Sequence, residues 1–349
     1  MVPRVLMLGW GFPPNVSGGL DTAVGELFEQ FQAREDVAIE LVLPAEYAPD
    51  REGIHGVPTG EGDVADRINR LTEEFVAHAA DAAIVHTHDW FGYGPGSRAR
   101  RTQDVSWVST FHSLTTDRNR NPPEREVQTE QRIVDGADHL IAVSEYVRRD
   151  LRANYDGDAR VIHNGFSSVE PTGRDVKAEL AIDGDMLFFV GRHTHQKGIE
   201  HLVYAMDRFD PGEVTLVVGG TGHLTDRLQR FVDLLDVEEH VAFVGYVPEA
   251  ELGDYYASAD AFVSPSLSEP FGITIVEALS VGTPVVACES GASEVLPEGC
   301  IVEVGPDSRS IARGIRQALA AGSPPDYEER TWATVADEHV AFYEEITGE

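Results

Sequence analysis

The chain has 349 residues, enough for two globular domains, and 42% of them are hydrophobic, which is sufficient for packed cores. Its 60 acidic residues outnumber its 27 basic residues and give a formal net charge of −33. A surface with this charge repels nucleic acid and anionic membranes, so neither is expected as a partner. Lysine occurs only at Lys177 and Lys197. The composition favours adaptation to a salty cytoplasm, where molar salt shortens the screening length to about 3 Å.

No feature of the sequence predicts export or membrane anchoring. Cys288 and Cys300 are its only cysteines, too few for a disulfide framework. The opening stretch, MVPRVLMLGW, has the pattern of a buried strand and lacks the basic region and long apolar core of a signal peptide. No apolar run reaches the ~18 residues needed to span a membrane. We therefore expect a cytoplasmic protein without stable membrane insertion.

Apolar segments alternate with amphipathic segments over the first part of the chain. The alternation predicts a parallel sheet with helices on both faces, which is a doubly wound α/β domain. A helix is predicted from Leu20, directly after Gly18 and Gly19, and its N-terminus is a candidate anion-binding position. The GxGxxG fingerprint of a nucleotide cofactor is absent there. The predicted strands cover residues 4–9, 37–43, 83–86, 105–110 and 139–143.

A second series of strands and helices follows a linker-like segment at residues 167–174. We therefore predict an N-terminal Rossmann-like domain at 1–165 and a C-terminal Rossmann-like domain at 166–325. The remaining residues, 326–349, contain an amphipathic helix from about Asp326 to Ile346 that could return to the first domain. The predicted strands of the second domain cover residues 186–191, 214–218, 240–244, 261–264 and 284–287.

Histidines follow two predicted strands of the first domain. We expect His86 and His88 to point to opposite sides of their strand, which argues against a two-histidine metal site. His112 ends the next strand, so one of the first pair and His112 should meet at the carboxyl edge of the sheet. A structural role for these histidines and a functional role both remain open.

The stretch from Ser264 to Glu277 connects an apolar strand to an apolar helix through a loop that contains Glu269. Gly272 lets the backbone approach a ligand, and the start of the helix directs free amides and a partial positive charge to the same place. Thr274 lies three residues before Glu277 and shares a helix face with it. A bare phosphate would not favour the two carboxylates, whereas a sugar joined to a phosphate would, because its hydroxyls donate to them. Solvated acids at a helix start are the alternative.

Two cations occur where the second domain begins, in the stretch VGRHTHQKG. Arg192 follows a predicted strand, and Lys197 precedes the next helix. A planar guanidinium and a point-charge ammonium at a strand-to-helix turn suit a diphosphate. Because lysine is almost absent from the rest of the chain, surface solubility is a poor explanation for the presence of Lys197.

Taken together, the motifs resemble a GT-B glycosyltransferase of the large retaining family, glycosyltransferase family 4, that includes glycogen synthases and sucrose-phosphate synthases. The resemblance implies two Rossmann-like domains facing across a cleft. It also implies retaining, metal-independent transfer of a hexosyl group from a nucleotide-diphosphate sugar, the co-substrate, to a hydroxyl acceptor such as a glucan or another glycoside. No other cofactor is implied. The matching motifs are SGGL (17–20), HTHDW (86–90), TFHS (110–113), HNGF (163–166), GRHTHQKG (191–198) and EPFGITIVE (269–277).

The resemblance also implies a role for each matching position. Arg192 and Lys197 would neutralise the donor diphosphate, which Gly18 and Gly19 would approach from the other domain. Glu277 would bind the nucleotide ribose. Glu269 would bind the hydroxyls of the donor sugar, and His88 would contact the sugar or its reacting face. The phosphate would be bound by the backbone of Phe271, Gly272 and Ile273 and by the Thr274 hydroxyl.

Departures from the family pattern leave the identity of the acceptor open, and other functions remain as alternatives. Ser17 stands where glycogen synthases typically have lysine, and Asp21 stands where a small residue is usual. An epimerase or hydrolase acting on a nucleotide sugar could use the same scaffold. A metal-dependent GT-A transferase would need a DxD motif at a strand end, but those at 156–158 and 183–185 precede apolar strands. A non-catalytic nucleotide-binding protein would use GGTGHL (219–224) as its turn.

Overall fold

The computed structural model describes residues 2–14 and 18–348. The described residues form two compact units, each built on one parallel sheet. The first unit is drawn from residues 1–116, 121–165 and 330–349, and the second from residues 117–120 and 166–329.

All the strand pairs in both sheets are parallel. The seven strands of the first sheet are β1 (Arg4–Leu8), β2 (Ala38–Pro44), β3 (Ile54–Val57), β4 (Ile84–His88), β5 (Ser106–Phe111), β6 (His139–Ala142) and β7 (Arg160–Val161). They lie in the order β3-β2-β1-β4-β5-β6-β7. The six strands of the second sheet are β8 (Asp185–Val190), β9 (Val214–Gly219), β10 (Val241–Gly245), β11 (Ala261–Ser264), β12 (Val285–Ala287) and β13 (Ile301–Glu303). Their order is β10-β9-β8-β11-β12-β13.

A loop without a helix joins β2 to β3 and a short 3-10 turn joins β12 to β13, whereas α-helices connect all the other successive strands. The α-helices are α1 (Gly19–Gln32), α2 (Val64–His78), α3 (Tyr93–Thr102), α4 (Thr115–Arg118), α5 (Glu124–Gly136), α6 (Glu145–Tyr155), α7 (Val176–Glu179), α8 (Ile199–Met206), α9 (Thr225–Leu235), α10 (Glu249–Ser258), α11 (Ile273–Ser280), α12 (Ser308–Ala321) and α13 (Trp332–Thr347). None of the helices in the described part of the chain combines the length and apolar character needed to cross a bilayer.

One core of the first unit lies between its sheet and the helices α1 and α13. Alternate residues of β1, Val5 and Met7, join Phe28 and Phe31 of α1 and Tyr343 of α13 in a single buried cluster. The first and last helices of the chain therefore pack on the same face of the first sheet. In the second unit, residues of β8 and β9 pack in the same way against α8 and α12.

The last helix begins later than the sequence pattern predicts. It starts at Trp332 instead of about Asp326, because the Thr331 side chain accepts a hydrogen bond from the Thr334 amide and caps the first turn. Trp332 packs against the backbone at Gly165, where an added Cβ would lie 2.7 Å from the indole ring. The glycine of the HNGF motif thus makes room for the helix start.

We propose that the charge of −33 adapts the protein to molar salt. Raising KCl from about 0.1 M to about 1 M shortens the screening length from about 10 Å to about 3 Å, which weakens repulsion between surface carboxylates. The melting temperature should rise by on the order of 10 °C over this range, as differential scanning fluorimetry would show. Sucrose, which stabilises by exclusion without screening charge, is the control. A melting temperature that does not change with KCl would contradict the proposal.

Candidate active site

Two loops of the second unit meet at the carboxyl edge of its sheet. One follows β8 and the other follows β11, and these strands are direct neighbours in the sheet. The Leu267 amide donates to the Gln196 carbonyl at 2.8 Å, and the Gln196 side chain donates back to the Ser268 carbonyl at 3.2 Å. Hydrogen bonds in both directions therefore hold the cationic loop against the loop that contains Glu269.

Gly198 sets how closely these loops approach. Its φ is +62°, in the left-handed region, and an added Cβ would lie 2.2 Å from the Pro265 carbonyl oxygen. A side chain at this position would have to push the two loops apart. Because Gly198 directly follows Lys197, the same contact brings the lysine towards the second loop.

Lys197 and Glu269 form an ion pair. The Lys197 ammonium lies 2.7 Å from Oε2 of Glu269, and the Ser266 hydroxyl donates to the same oxygen at 2.8 Å. The lysine side chain is 21% exposed and the glutamate side chain 9%. No donor in the described part of the chain reaches the other oxygen, Oε1. The pair therefore places one oriented, unused carboxylate oxygen beside a partly exposed cation.

Arg192 is exposed beyond the end of β8. Across residues 2–14 and 18–348, no carboxylate forms an ion pair with it. In a chain with more than twice as many acids as bases, an unpaired guanidinium at a strand end is available to an anion.

The start of α11 has the geometry predicted for an anion-binding turn. Gly272 has a φ of +98°, and an added Cβ would lie 2.8 Å from the Ile275 side chain and 3.2 Å from Glu269 Cγ. Within the described ranges, the amides of Gly272, Ile273 and Thr274 donate to no protein acceptor. Free amides at a helix start bind phosphate oxygens.

The remaining residues of this turn are anchored. Phe271 is buried, and its carbonyl accepts a 2.8 Å hydrogen bond from the Ala292 amide, while the Glu269 carbonyl accepts one from Gly291 at 3.2 Å. Thr274 is half-buried. The buried Ser268 hydroxyl has no hydrogen-bond partner among the described residues. An orphaned buried hydroxyl beside Glu269 is costly unless a ligand satisfies it.

Glu277 lies one turn into α11 and is largely buried. Its Oε2 accepts a 2.8 Å hydrogen bond from the Tyr256 hydroxyl. Burial raises the pKa of Glu277 from its usual 4.5 to about 7, and the tyrosine hydrogen bond opposes the rise. Burial likewise raises the pKa of the Tyr256 hydroxyl well above its usual value. The sequence placed Glu277 near the helix start but gave no signal for its tyrosine partner.

The expectation that His86 and His88 point to opposite sides is wrong. Residues two apart on a strand share a face, and the two rings lie 4.6 Å apart between centroids. His86 is a structural residue, because its ring nitrogens pair with the Tyr343 hydroxyl and the Thr110 hydroxyl, each at 2.7 Å. Its hydrogen bonds are complete, which leaves no nitrogen for a metal.

His88 and His112 meet, as predicted, at the carboxyl edge of the first sheet. His88 Nδ1 lies 3.0 Å from His112 Nε2, and burial lowers the pKa of both rings, so both are neutral at pH 7. Within the described chain, His88 Nε2 and His112 Nδ1 are buried without a partner. Both rings line a cavity of about 10 Å³, close to the volume one water requires.

Asp21 has a structural role at the first turn of α1. It is buried, and its Oδ1 accepts a 2.9 Å hydrogen bond from the Gly11 amide, which fixes the glycine-rich loop to the helix. Gly18 caps α1, and a side chain added there would meet no atom within 4 Å. Gly19 is the first residue of the helix, and Ser17 lies outside the described residues.

Comparison with known proteins identifies the family of the chain. Residues 174–331 match the family model described as Glycosyl transferases group 1, and residues 17–168 match the model described as Glycosyltransferase Family 4. The alpha-maltose-1-phosphate synthase of Mycolicibacterium smegmatis is 29% identical, over 99% of this chain and 100% of that protein. The chain is a glycosyltransferase.

Solved structures share the fold of this glycosyltransferase. Sucrose-phosphate synthase from Thermosynechococcus elongatus superposes with a TM-score of 0.80 at 23% identity, over 99% of each chain. Anabaena HepE in complex with UDP-glucose superposes with a TM-score of 0.72 at 19% identity, over 98% of this chain and 94% of that chain. The predicted GT-B architecture, with two parallel Rossmann-like sheets, is confirmed.

Both DxD motifs of the glycosyltransferase lie at the amino ends of strands, each in its own sheet. Asp158 precedes β7 and pairs with Arg148 and Arg152, and residues 183–185 lead into β8. Directly after the GGTGHL turn, the Thr225 hydroxyl forms hydrogen bonds with the His193 ring and the Gly222 backbone. Asp158 and Thr225 therefore have structural partners of their own.

One residue that positions the histidines was missed by sequence reasoning. Asp89 has a φ of +46°, and its Oδ1 accepts hydrogen bonds from the backbone amides of His112 at 2.8 Å and Ser113 at 3.4 Å. It thereby ties the end of β4 to the end of β5. The only available signal was its place directly after His88 in the HTHDW motif.

Proposed function

We propose that this glycosyltransferase moves a hexosyl group from a nucleotide-diphosphate sugar to a hydroxyl acceptor, with retention of the anomeric configuration and without a metal ion. The observation that carries the proposal is the ion pair between Lys197 and Glu269 beside the free amides of Gly272 and Ile273. The two loops together present a cation, a helix start and an oriented carboxylate oxygen. These groups suit a ligand in which a phosphate is joined to a sugar.

Each part of the site would take one part of the donor. Lys197, Arg192 and the amides at the start of α11 would bind the diphosphate. Oε1 of Glu269, which is unused, would accept a hydrogen bond from a sugar hydroxyl. The orphaned Ser268 hydroxyl, if it faces the sugar, would gain a partner in the same way.

Catalysis would depend on stabilising the leaving group. Negative charge grows on the departing diphosphate as the glycosidic bond breaks, and fixed cations and amides stabilise that charge more in the transition state than in the ground state. Because Lys197, Arg192 and the helix start already offset this charge, a divalent cation is not required.

The position of Glu269 argues against a double-displacement mechanism. A double displacement would need a nucleophilic carboxylate on the sugar face opposite the leaving group. Glu269 instead lies beside the proposed phosphate position, with one oxygen held by Lys197 and Ser266. We propose front-face attack, in which the acceptor oxygen bonds to the anomeric carbon as the bond to the phosphate breaks. The departing phosphate takes the acceptor's proton.

Ribose binding by Glu277 would make donor affinity depend on pH. The carboxylate accepts ribose hydroxyls better than the protonated acid, and the raised pKa of about 7 means that it ionises as the pH passes through neutrality. The Kd of UDP or ADP should therefore fall by up to about tenfold between about pH 6 and about pH 8, as calorimetry would measure.

Glu277→Gln is the control for this pH dependence, since it keeps the titration of the ligand phosphate but removes that of the side chain. An equally steep profile in this variant would contradict the assignment. Stability should change in the opposite sense. Because the folded-state pKa is raised, the contribution of Glu277 to stability is fully present below about pH 4.5 and is lost as the pH rises through about 7.

The reaction itself can be tested with donors and acceptors taken from the similar proteins. HepE was solved with UDP-glucose, and two relatives are named as synthases of a phosphorylated disaccharide. We would incubate the protein in molar KCl with UDP-glucose or ADP-glucose, together with glucose 1-phosphate or a maltooligosaccharide, with and without EDTA. Proton NMR of the product should show an α-linkage. The rate of product formation should be the same with and without EDTA.

Three other results would contradict the proposal. An inverted anomer would exclude front-face retention. Loss of turnover in EDTA that Mg²⁺ or Mn²⁺ restores would indicate a metal-dependent reaction. Release of nucleoside diphosphate with free sugar, and no product with any acceptor, would indicate a hydrolase.

A further inference from the structure

Three potential metal ligands converge on the first sheet, outside the donor site. Glu40 lies on β2, His55 lies on the edge strand β3, and His78 is the last residue of α2. His55 Nε2 is 3.0 Å from Glu40 Oε2, and the two imidazole rings stack with centroids 4.1 Å apart. One ligand atom from each residue lies within 4.8 Å of the other two.

This cluster is on the opposite face of the sheet from the histidines described above. In the strand register, Glu40 pairs with Leu6 and His86 pairs with Met7. Leu6 and Met7 are consecutive on β1, so their side chains, and those of their register partners, point to opposite faces. The cluster is therefore separate from His86, His88 and His112.

The hydrogen bonding of the cluster leaves ligand atoms available. His78 has no hydrogen-bond partner in the described part of the chain, and His55 has only Glu40. All three residues are half-buried, and the side chains of His55 and Glu40 are 34% and 42% exposed, so small rotations are possible. A tetrahedral zinc ion with bonds of about 2.0–2.1 Å needs its ligand atoms about 3.3 Å apart, which such rotations would achieve.

We propose that Glu40, His55 and His78 bind a divalent cation of the zinc class. Two imidazole nitrogens and one carboxylate oxygen suit Zn²⁺ better than Mg²⁺ or Ca²⁺, which prefer oxygen ligands throughout. The bound ion would join the short edge strand β3 and the end of α2 to the strand next to the edge. Its effect would be on the stability of the first unit.

The surroundings provide space for a fourth ligand. Glu40 and His78 line a cavity of about 170 Å³, which is large enough to hold several waters. Arg4 lines the same cavity, and its positive charge opposes binding of the metal ion. The affinity for the metal ion must therefore come mainly from the imidazole ligands. The site should accordingly select, among divalent ions of equal charge, those that prefer nitrogen ligands.

The test is metal binding by the full-length protein after EDTA treatment and dialysis into about 1 M KCl, where non-specific attraction to the acidic surface is screened. Calorimetry should show one Zn²⁺ site per chain, with Mg²⁺ binding much more weakly. Co²⁺ used as a spectroscopic probe should give visible d–d absorption that Zn²⁺ abolishes. The melting temperature should rise with Zn²⁺.

Variants locate the site. His55→Gln and His78→Gln should each weaken Zn²⁺ binding at least about tenfold, the lower limit seen when only an outer-shell partner is lost. His201→Gln, a half-buried histidine on α8 in the second unit, is the matched control and should bind as the parent does. Circular dichroism checks that each variant is folded, and Glu40→Gln provides a third variant if either histidine variant is not.

Two results would overturn the proposal. One is the absence of a stoichiometric Zn²⁺ site in the parent protein. The other is a site whose affinity is unchanged in all folded variants of the cluster. Because binding and melting are the readouts, both results are independent of whether the proposed transferase reaction occurs.

Discussion

Replacing Lys197 with alanine should lower kcat by about two to three orders of magnitude, the loss seen when one fixed donor to a developing oxyanion is removed. Lys197 lies 2.7 Å from Glu269, beside the proposed phosphate position. Its removal would take away the cation that we propose stabilises the departing diphosphate, and would free the carboxylate with which it pairs. Steady-state kinetics in molar KCl measures the effect.

The protein contains a matched control, because its only other lysine is also in an ion pair. Lys177 lies 2.6 Å from Asp260, which also accepts a 2.7 Å hydrogen bond from the Met186 amide at the start of β8. Lys177→Ala should lower the melting temperature and leave kcat unchanged. Lys197→Ala should lower both, since Glu269 is only 9% exposed and would lose its cation.

Lys197→Arg refines the same experiment. It keeps the charge but replaces a compact ammonium with a planar fork, so kcat should fall between the parent and alanine values. Assays must be run below the melting temperature of the least stable variant. A Lys197→Ala protein with the turnover of the parent would remove the main argument for where the diphosphate binds.

Replacing Glu269 with glutamine should leave donor binding measurable and lower kcat by about two orders of magnitude. Lys197 and the Ser266 hydroxyl both donate to Oε2. In the variant they would orient the amide oxygen towards themselves and leave the amide NH₂ where Oε1 was. The sugar hydroxyl would then meet a donor instead of an acceptor, and no negative charge would stabilise the developing positive charge on the ring.

Mass spectrometry distinguishes this role from nucleophilic catalysis. If Glu269 only contacts the sugar, no glycosyl-enzyme accumulates in the parent or the variant, and the product keeps the α-configuration. Sugar bound covalently to Glu269 in the parent would contradict the mechanism. Ser266→Ala is the control, because it removes one donor to Oε2 but keeps the carboxylate and the lysine, and it should reduce kcat much less than Glu269→Gln.

The sequence was sufficient for the architecture, because burial leaves a local pattern. Strands enclosed on both faces are continuous apolar runs, and the apolar residues of helices recur every three to four positions. Ten of the thirteen strands and the two-sheet organisation were therefore predicted. The three missed strands, β3, β7 and β13, have two to four residues and partly exposed positions. Such strands depend on pairing with a neighbour more than on their own pattern.

The candidate residues were also identified from the sequence, but their relations were not. Lys197 and Glu269 are separated by 72 positions, and only the adjacency of β8 and β11, with Gly198 against the Pro265 carbonyl, makes them an ion pair. The raised pKa of Glu277 likewise results from burial, and the opposing hydrogen bond comes from Tyr256; neither has a local signature in the sequence. Residue types and turns are local properties that a sequence carries, whereas distances, burial and hydrogen-bond partners exist only once the chain has folded.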